Sequence, residues 1–442
     1  MVNHNPAGLF KLGRALLLVY FILLIYDGAL RKWLFPTYEK YIFFIKDFIF
    51  LSILALSLYL LRTRKTLALP KWLKAVILIY AFCVVANAIN PNLPSLLVGG
   101  LGIKLHLMHM LLVLILGILY DNIEEFIKDI TKILPFLIIP VCLIGITQVY
   151  APQDSTLNQA VRGGLNSVPN MRDLTRASGT FSYVTGFGAF LIAAFSIALA
   201  TNIPTKFKIN ISLIVLIVVI SSLPTNGSRA VLMSVAGIGV LTIVGVIWKK
   251  LVEPKVAVKL LSYFGVALTL VIIANPDPWQ ALLHRFLTSY HLPGETARFH
   301  SGITNAFSFF STAGLYGFGT GSASQLAPFL VSNVHPYSWL PPTVAQIGFE
   351  EESGRIVLEI GVIGWISSML MRMTFLYYSI QLIFKARLST SILVGIMSTP
   401  ILALGVMFGT GVFSPPVGAA YYWLCVAMMI KSTIEERELQ AT

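Results

Sequence analysis

The sequence predicts an all-α polytopic membrane protein with about twelve transmembrane helices. Three observations lead to this fold class. Apolar runs of about 20 residues, the length that crosses a bilayer, recur along most of the chain. Hydrophobic residues make up 56% of the 442 residues and charged residues only 12%, about half the charged fraction of a soluble protein. The mean hydropathy is +0.80.

No soluble domain interrupts these runs, so residues 1–442 are interpreted as one integral membrane domain. Each run ends at a polar or charged turn, which is where a membrane helix is expected to leave the bilayer. The predicted spans cover residues 15–30, 41–61, 72–88, 95–120, 133–150, 181–200, 209–223, 230–248, 260–274, 354–372 and one run on either side of the turn Gly409–Gly418.

The distribution of basic residues predicts the orientation of the helices. Of the 32 lysines and arginines, 19 lie in seven segments that alternate with nearly uncharged turns, as the positive-inside rule requires. Both termini and residues 121–132 are therefore predicted to be cytoplasmic. Two longer polar loops, 151–180 and 275–353, are predicted to be outside, the second between helices 9 and 10 and over an active site. The net charge of +13 then needs no nucleic-acid partner.

The basic residues predicted at the outer level are the exceptions to this rule, and they favour an anionic ligand. Lys46 and Lys104 lie deeper than side chains that merely reach the headgroups, so we expect them to support such a site. The alternative is that Asp27 or Asp47 pairs with them, which would make the set structural.

Two further segments suggest anion binding. Ser228 can cap the helix that starts after residues 225–228, and Arg229 adds a charge at that helix N-terminus. The alternative there is an ordinary capped helix with an interfacial arginine. The glycine-rich residues 314–324 follow no strand, so a backbone turn or an anion-accepting nest is favoured over a dinucleotide motif.

An acidic cluster opens the tenth predicted span. Glu352, Arg355 and Glu359 have the spacing of one helix face, and Glu351 and Arg355 are four residues apart. A carboxylate in a partly dehydrated cleft can serve as a general base, although a nearby arginine weakens it. The alternative is a salt bridge at the helix entry. Glu359, nearly two turns in, is expected to face the bundle interior.

Four segments in this order resemble the O-antigen ligase and O-antigen polymerase superfamily: Arg176-Ala-Ser-Gly179, Ser228-Arg229-Ala, Arg298 followed by Leu315-Tyr-Gly317-Phe-Gly319, and Glu359-Ile-Gly361. The resemblance spans about residues 176–370. It implies a metal-independent, C-type glycosyltransferase without a cofactor, which moves a glycan from undecaprenyl diphosphate to an acceptor hydroxyl. It also implies that Arg176, Arg229 and Arg298 bind the diphosphate.

One difference from the family bears on the mechanism. The family ligases usually carry a histidine shortly before the Glu-x-Gly helix as the base, where this chain has Glu350, Glu351 and Glu352. His335 lies too far upstream to fill that position. Glu352, or else Glu351, is therefore the predicted catalytic base, and Arg355 is predicted to orient it or to meet the leaving phosphate. If neither glutamate acts, His300, His335 or no protein base remains.

The difference favours a polymerase that joins lipid-linked oligosaccharide repeat units into O-antigen or exopolysaccharide. The expected place is the outer face of the bacterial inner membrane, and the expected partners are the lipid bilayer and the undecaprenyl-diphosphate-linked glycan. A flippase and a chain-length regulator could act beside it. The alternatives are an O-antigen ligase that uses lipid A-core, and a transporter or flippase for an anionic lipid or sugar. A transporter would be expected to show two related halves, which the sequence lacks.

Overall fold

The computed structural model describes residues 6–63, 71–161, 174–203, 210–251, 272–289, 306–331, 335–345, 352–406 and 415–441, together with residues 265, 268 and 269. Every regular element in these ranges is helical. The longer helices are α1 Pro6–Ala29, α2 Glu39–Leu60, α3 Lys71–Asn87, α4 Leu96–Ile103, α5 Leu112–Leu119, α6 Ile123–Tyr150, α7 Val184–Asn202, α8 Ile211–Ser222, α9 Arg229–Trp248, α10 Pro276–Ser289, α11 Glu352–Lys385, α12 Ser389–Val406 and α13 Pro416–Ala441.

The helices agree with the predicted polytopic membrane class. Among the described residues, nine stretches are long and apolar enough to cross a membrane, with α4 and α5 joined in one of them. The shorter α3 and α8 coincide with two more predicted spans. The predicted span 260–274 falls mostly outside the described residues, so the number twelve stays a prediction.

The burial pattern distinguishes central from peripheral helices. In α13, 83% of the residues in the most apolar stretch are buried, against 28% in α2. Large apolar side chains such as Phe48, Phe82 and Phe136 are exposed on the peripheral helices. In a membrane this surface faces lipid, where apolar exposure costs nothing. The last helix is therefore the centre of the bundle.

The C-terminal end of α13 caps two other helices. Glu435 accepts a hydrogen bond of 2.8 Å from the backbone N–H of Ile123, at the start of α6. Glu436 accepts bonds of 2.9 Å and 2.8 Å from the N–H groups of Arg387 and Leu388, just before α12. Carboxylates are favoured at helix N-termini, where several N–H groups have no partner within the helix. These bonds tie the central helix to the bundle at that end.

The predicted span 354–372 is not one straight helix, because α11 reverses direction at Gly361. That residue has φ 70° and ψ −176°, far from helical values. The Glu352 carboxylate lies 2.9 Å from the Arg372 guanidinium, whereas 20 residues of straight helix would separate their backbones by about 30 Å. Trp365 Nε1 likewise donates to Ser353 Oγ at 2.8 Å. Residues 352–360 therefore fold back along residues 362–372.

The glycine-rich segment forms a backbone turn that holds this reversal. Phe318 and Gly319 donate to the carbonyl groups of Leu358 and Glu359 at 2.7 Å and 3.1 Å, and Val362 donates to Gly314 at 3.1 Å. A Cβ on Gly317 would lie 2.6 Å from the Gly361 nitrogen, so only glycine permits this close approach. Of the two alternatives for residues 314–324, the structure shows the backbone turn.

Candidate functional site

Three arginines meet around one turn between α8 and α9. Arg176 Nε donates to the Asn226 carbonyl at 2.9 Å, and Arg285 on α10 donates to the Gly227 carbonyl. Arg229 Nη1 lies 3.4 Å from the Arg285 carbonyl. Ser228 Oγ accepts from Val231 N, which confirms the predicted cap of α9. Arg176 and Arg229 thus both lie at this turn, where Arg285, which the sequence analysis did not assign to the site, contacts the same turn. Their predicted binding of a diphosphate stays a prediction.

The positive charges of Arg176 and Arg285 repel each other. Burial, and next the charge of Arg285, lower the pKa of Arg176 to about 10. The guanidinium is still charged at neutral pH. A phosphate between the arginines would relieve the repulsion and would match the planar forks of the guanidinium groups.

The backbone next to Arg176 is fixed by polar side chains from two other helices. Gln148 on α6 accepts bonds from the N–H groups of Ser178 and Gly179 at 3.0 Å and 2.7 Å. Lys32 donates to Ser178 Oγ at 3.1 Å and to the Gly179 carbonyl at 3.0 Å. These bonds explain how a segment without regular structure can present Arg176 in a defined position.

Glu352 lies inside the bundle and not at a helix mouth. Its carboxylate and the Arg372 guanidinium are both buried, and Arg372 also donates to the Gly405 carbonyl at 2.9 Å. The predicted partner, Arg355, instead has its Nε 3.9 Å from Glu359 Oε1. Glu352 therefore forms a salt bridge, as in the alternative interpretation, but with a residue that only the chain reversal could bring near it.

A second polar network links three helices through His106. His106 Nε2 lies 2.7 Å from Glu359 Oε2, and its Nδ1 lies 2.8 Å from the Tyr80 hydroxyl. All three side chains are buried. Buried ionisable groups inside a membrane bundle are costly and usually functional. Glu359 faces the bundle interior, as predicted, while the contribution of Tyr80 and His106 was missed.

The two networks border one small pocket. Six of its lining residues are Tyr80, His106, Glu352, Arg355, Arg372 and Trp423. Its volume is about 20 Å³, enough for one water-sized group. One carboxylate, two guanidinium groups, an imidazole and a phenol therefore surround a space that would accept one hydroxyl group.

Lys46 and Lys104 pair with the aspartates considered in the sequence. Lys46 Nζ contacts the Asp27 carboxylate, and Lys104 Nζ lies 2.5 Å from Asp47 Oδ2. Both ammonium groups also lie 4.4 Å from the centre of the Phe43 ring. These ion pairs join α1, α2 and the segment after α4, so they stabilise the bundle whether or not a ligand binds there.

Two π-helical turns carry several of these residues. Leu30–Leu34 contains Arg31 and Lys32, and Lys104–Met108 contains Lys104 and His106. Such turns are rare and are frequently found at functional sites. The second turn is followed by a 3₁₀ turn, His109–Leu111, before α5 resumes.

Some predicted site residues fall outside the described part of the chain: Glu351, Arg298 and His300. His335 is described and exposed, and its Nδ1 lies 3.2 Å from the Pro336 carbonyl. Within the described ranges, no group of three histidine, cysteine or carboxylate side chains could hold a metal ion.

Comparison with known proteins gives no relative from which a role could be carried over. No family model, no curated protein and no solved structure matches this chain. A function is therefore inferred from two features of the geometry. One is the arginine cluster at one turn, and the other is the buried polar pocket beside the reversed helix α11.

Proposed function

We propose that this membrane protein transfers a glycan from a polyprenyl diphosphate to an acceptor hydroxyl, and that it polymerises lipid-linked repeat units at the outer face of a bacterial inner membrane. The observation that carries the proposal is the meeting of Arg176, Arg229 and Arg285 at one turn. Guanidinium groups are the side chains best suited to a diphosphate. The sequence resemblance described above points to the same ligand.

The exposed apolar surface of the bundle agrees with a lipid-linked substrate. A polyprenyl chain could lie against the exposed apolar surface while its diphosphate reaches the arginines. The diphosphate is also a good leaving group, because its oxygens can accept the electron pair of the broken bond while the arginines stabilise their charge. Arg298 is proposed to join this cluster, although it lies outside the described residues.

A proteoliposome assay tests the proposal. The purified protein is supplied with an undecaprenyl-diphosphate-linked repeat unit, and the products are separated by size. A ladder of longer glycans indicates a polymerase. A single transfer that requires added lipid A-core indicates the ligase of the same superfamily. Chelators should not change the rate if the reaction is metal-independent. The absence of any transfer would contradict the proposed enzyme.

A flippase is the second candidate, and the reversal of α11 at Gly361 favours it. Transporters often bind substrates at discontinuous helices with buried charges nearby. The same proteoliposomes distinguish the two functions. A flippase moves the lipid-linked glycan between leaflets without changing its mass, whereas the enzyme changes its mass without requiring movement between leaflets.

A further inference from the structure

Tyr80, His106 and Glu359 form a hydrogen-bonded chain that runs from the pocket into the bundle. We propose that the Tyr80 hydroxyl takes the proton of the acceptor hydroxyl, while His106 takes the proton of Tyr80 and Glu359 stabilises the imidazolium that results. This inference rests on the proposed glycosyl transfer and names its proton acceptor. Tyr80 is then the catalytic residue. His106 acts through Tyr80 by accepting its proton, and Glu359 acts through His106.

The partners of His106 determine the direction of the hydrogen bonds. An ionised Glu359 can only accept, so it takes the hydrogen on Nε2 of the imidazole at 2.7 Å. The lone pair then lies on Nδ1, which accepts from the Tyr80 hydroxyl at 2.8 Å. The order hydroxyl, imidazole, carboxylate is the arrangement by which histidine activates a hydroxyl group in many hydrolases.

Glu352 is less suited to accept the proton, although it borders the same pocket. Its carboxylate is bound by the Arg372 guanidinium at 2.9 Å, and that guanidinium is itself fixed by the Gly405 carbonyl. The Glu352 Oε1 atom that would accept a proton is therefore already engaged with Arg372. Tyr80 instead lines the pocket, and its hydroxyl is hydrogen-bonded to the His106 imidazole, which can act as the base.

The pocket suits a hydroxyl group and not a whole sugar ring. A volume of about 20 Å³ admits one water-sized group, and a sugar hydroxyl has that size. Arg355 also borders the pocket, where its charge could orient the acceptor oxygen. The ring of the acceptor would then remain outside the pocket, with one hydroxyl inserted beside Tyr80.

The transfer step balances with these groups alone. The acceptor oxygen forms a bond to the anomeric carbon of the donor, and the bond from that carbon to the diphosphate breaks with its electron pair on the diphosphate oxygen. The acceptor proton moves to the Tyr80 oxygen as the phenolic proton moves to Nδ1 of His106. The imidazolium afterwards gives its proton to water, which restores the starting state.

The test compares Tyr80→Phe with Tyr20→Phe in the full-length protein, using the polymerisation assay in proteoliposomes. Tyr20 is a matched control, because it is also buried but packs against Phe21 and Phe50 and does not line the pocket. Tyr80→Phe should lower kcat by about 10² to 10⁴ with little change in KM, whereas Tyr20→Phe should stay near wild type. Glu359→Gln should lower kcat less, and Glu359→Asp should restore part of the loss.

The pH–rate profile distinguishes a catalytic Tyr80 from a structural one. Loss of a purely structural contact would lower the rate without changing the shape of the profile. The wild-type rate should fall on the acid side, because general-base catalysis requires the proton acceptor in its unprotonated form. Tyr80→Phe should lose that dependence. The charged groups that face Tyr80 are Glu352, Arg355, Glu359 and Arg372, and Glu352→Gln should keep the acid limb.

The outcomes separate this inference from the proposed function. Absence of transfer by the wild-type protein would overturn both. Transfer by the wild type together with an unchanged rate and pH profile in Tyr80→Phe would overturn the proton chain alone. If Tyr80→Phe does not fold, the profile of Glu352→Gln decides: an acid limb that persists in this variant supports the inference, and its loss overturns it.

Discussion

Glu352 and Arg372 are 20 positions apart in one helical segment, yet their side chains form a buried salt bridge of 2.9 Å. The pair exists because the chain reverses at Gly361, and it joins the two limbs of α11 at the level of the pocket. A buried charge that loses its partner is strongly destabilising, while a buried pair as a whole contributes little. This asymmetry makes the pair a direct test of the reversed helix.

We expect Glu352→Gln and Arg372→Met each to reduce the free energy of unfolding by about 3–5 kcal/mol, because each leaves one buried charge without its partner. The double variant should recover most of that loss. Unfolding titrations in detergent check the cycle. The same double variant also tests the predicted catalytic role of Glu352. Recovery of turnover would show that Glu352 is not the general base. A turnover that stays about 10²-fold or more below wild type would support that role. Additive losses would contradict the salt bridge.

Gly361→Ala should disrupt the reversal. The new Cβ would lie well inside contact distance of the Leu315 carbonyl oxygen, and φ 70° is unfavourable for alanine. We expect a loss of at least about 3 kcal/mol in the free energy of unfolding. Gly237→Ala on α9 is the control, because no atom lies within 4 Å of its added Cβ. That variant should change stability by at most about 1 kcal/mol. Equal effects in both would argue against the reversal.

Arg285→Ala should weaken binding of the polyprenyl diphosphate donor by about 30-fold, which corresponds to about 2 kcal/mol. Lysine should rescue only part of this, since it lacks the planar fork. Arg176→Ala and Arg229→Ala should behave alike, and the exposed Arg62 provides a control, Arg62→Ala. Binding can be measured with a fluorescent donor in nanodiscs. Unchanged affinity for the donor in all three site variants would show that the arginine cluster does not bind the diphosphate.

The pKa of Arg176, lowered to about 10 by burial and by Arg285, gives a pH dependence. A lowered pKa in a cation means that the charge is present at neutral pH and is lost as the pH rises through about 10. Donor affinity should therefore fall in that range. In Arg285→Gln the fall should occur at higher pH, because the repulsion on Arg176 is gone. A midpoint that does not move would show that Arg176 is not the titrating group.

The predicted orientation can be tested with two exposed positions in described segments. In a background in which the three cysteines are replaced, Asp154→Cys should react with an impermeant thiol reagent from outside and Glu124→Cys from the cytoplasm. Both positions are exposed, so accessibility alone should not limit the reaction. Labelling of both from the same side would contradict the predicted arrangement of spans.

The sequence predicts the helices and their local ends well, because these depend on short-range signals. The apolar runs determine where the helices lie, and Ser228 caps α9 three residues ahead of its partner N–H. The pairing of Lys46 and Lys104 with the two aspartates was already one of the alternatives. These features follow from hydropathy, charge and spacing over a few turns.

The site could be predicted only in part, because its contacts join distant positions. Tyr80 is 26 positions from His106, and His106 is 253 positions from Glu359. Arg285 reaches Gly227 across 58 positions. Hydrophobic periodicity does not predict the reversal at Gly361, because a single glycine in an apolar run is compatible with a continuous helix. The available signals were the polar residues His106 and Glu359, each within an otherwise apolar span.

The π-helical turn Lys104–Met108 has a consequence for how such a chain can change by insertion or deletion. A π turn holds one residue more than an α turn, so loss of one residue there would let α4 and α5 continue as one regular helix. The flanking residues would keep their faces, because the wide turn is what absorbs the extra residue, but the side chains within the turn would shift by about 100° around the helix axis. The hydropathy profile would hardly change, yet His106 would no longer meet both Tyr80 and Glu359. In an alignment, the difference between a chain with this site and one without it would be a single-residue gap.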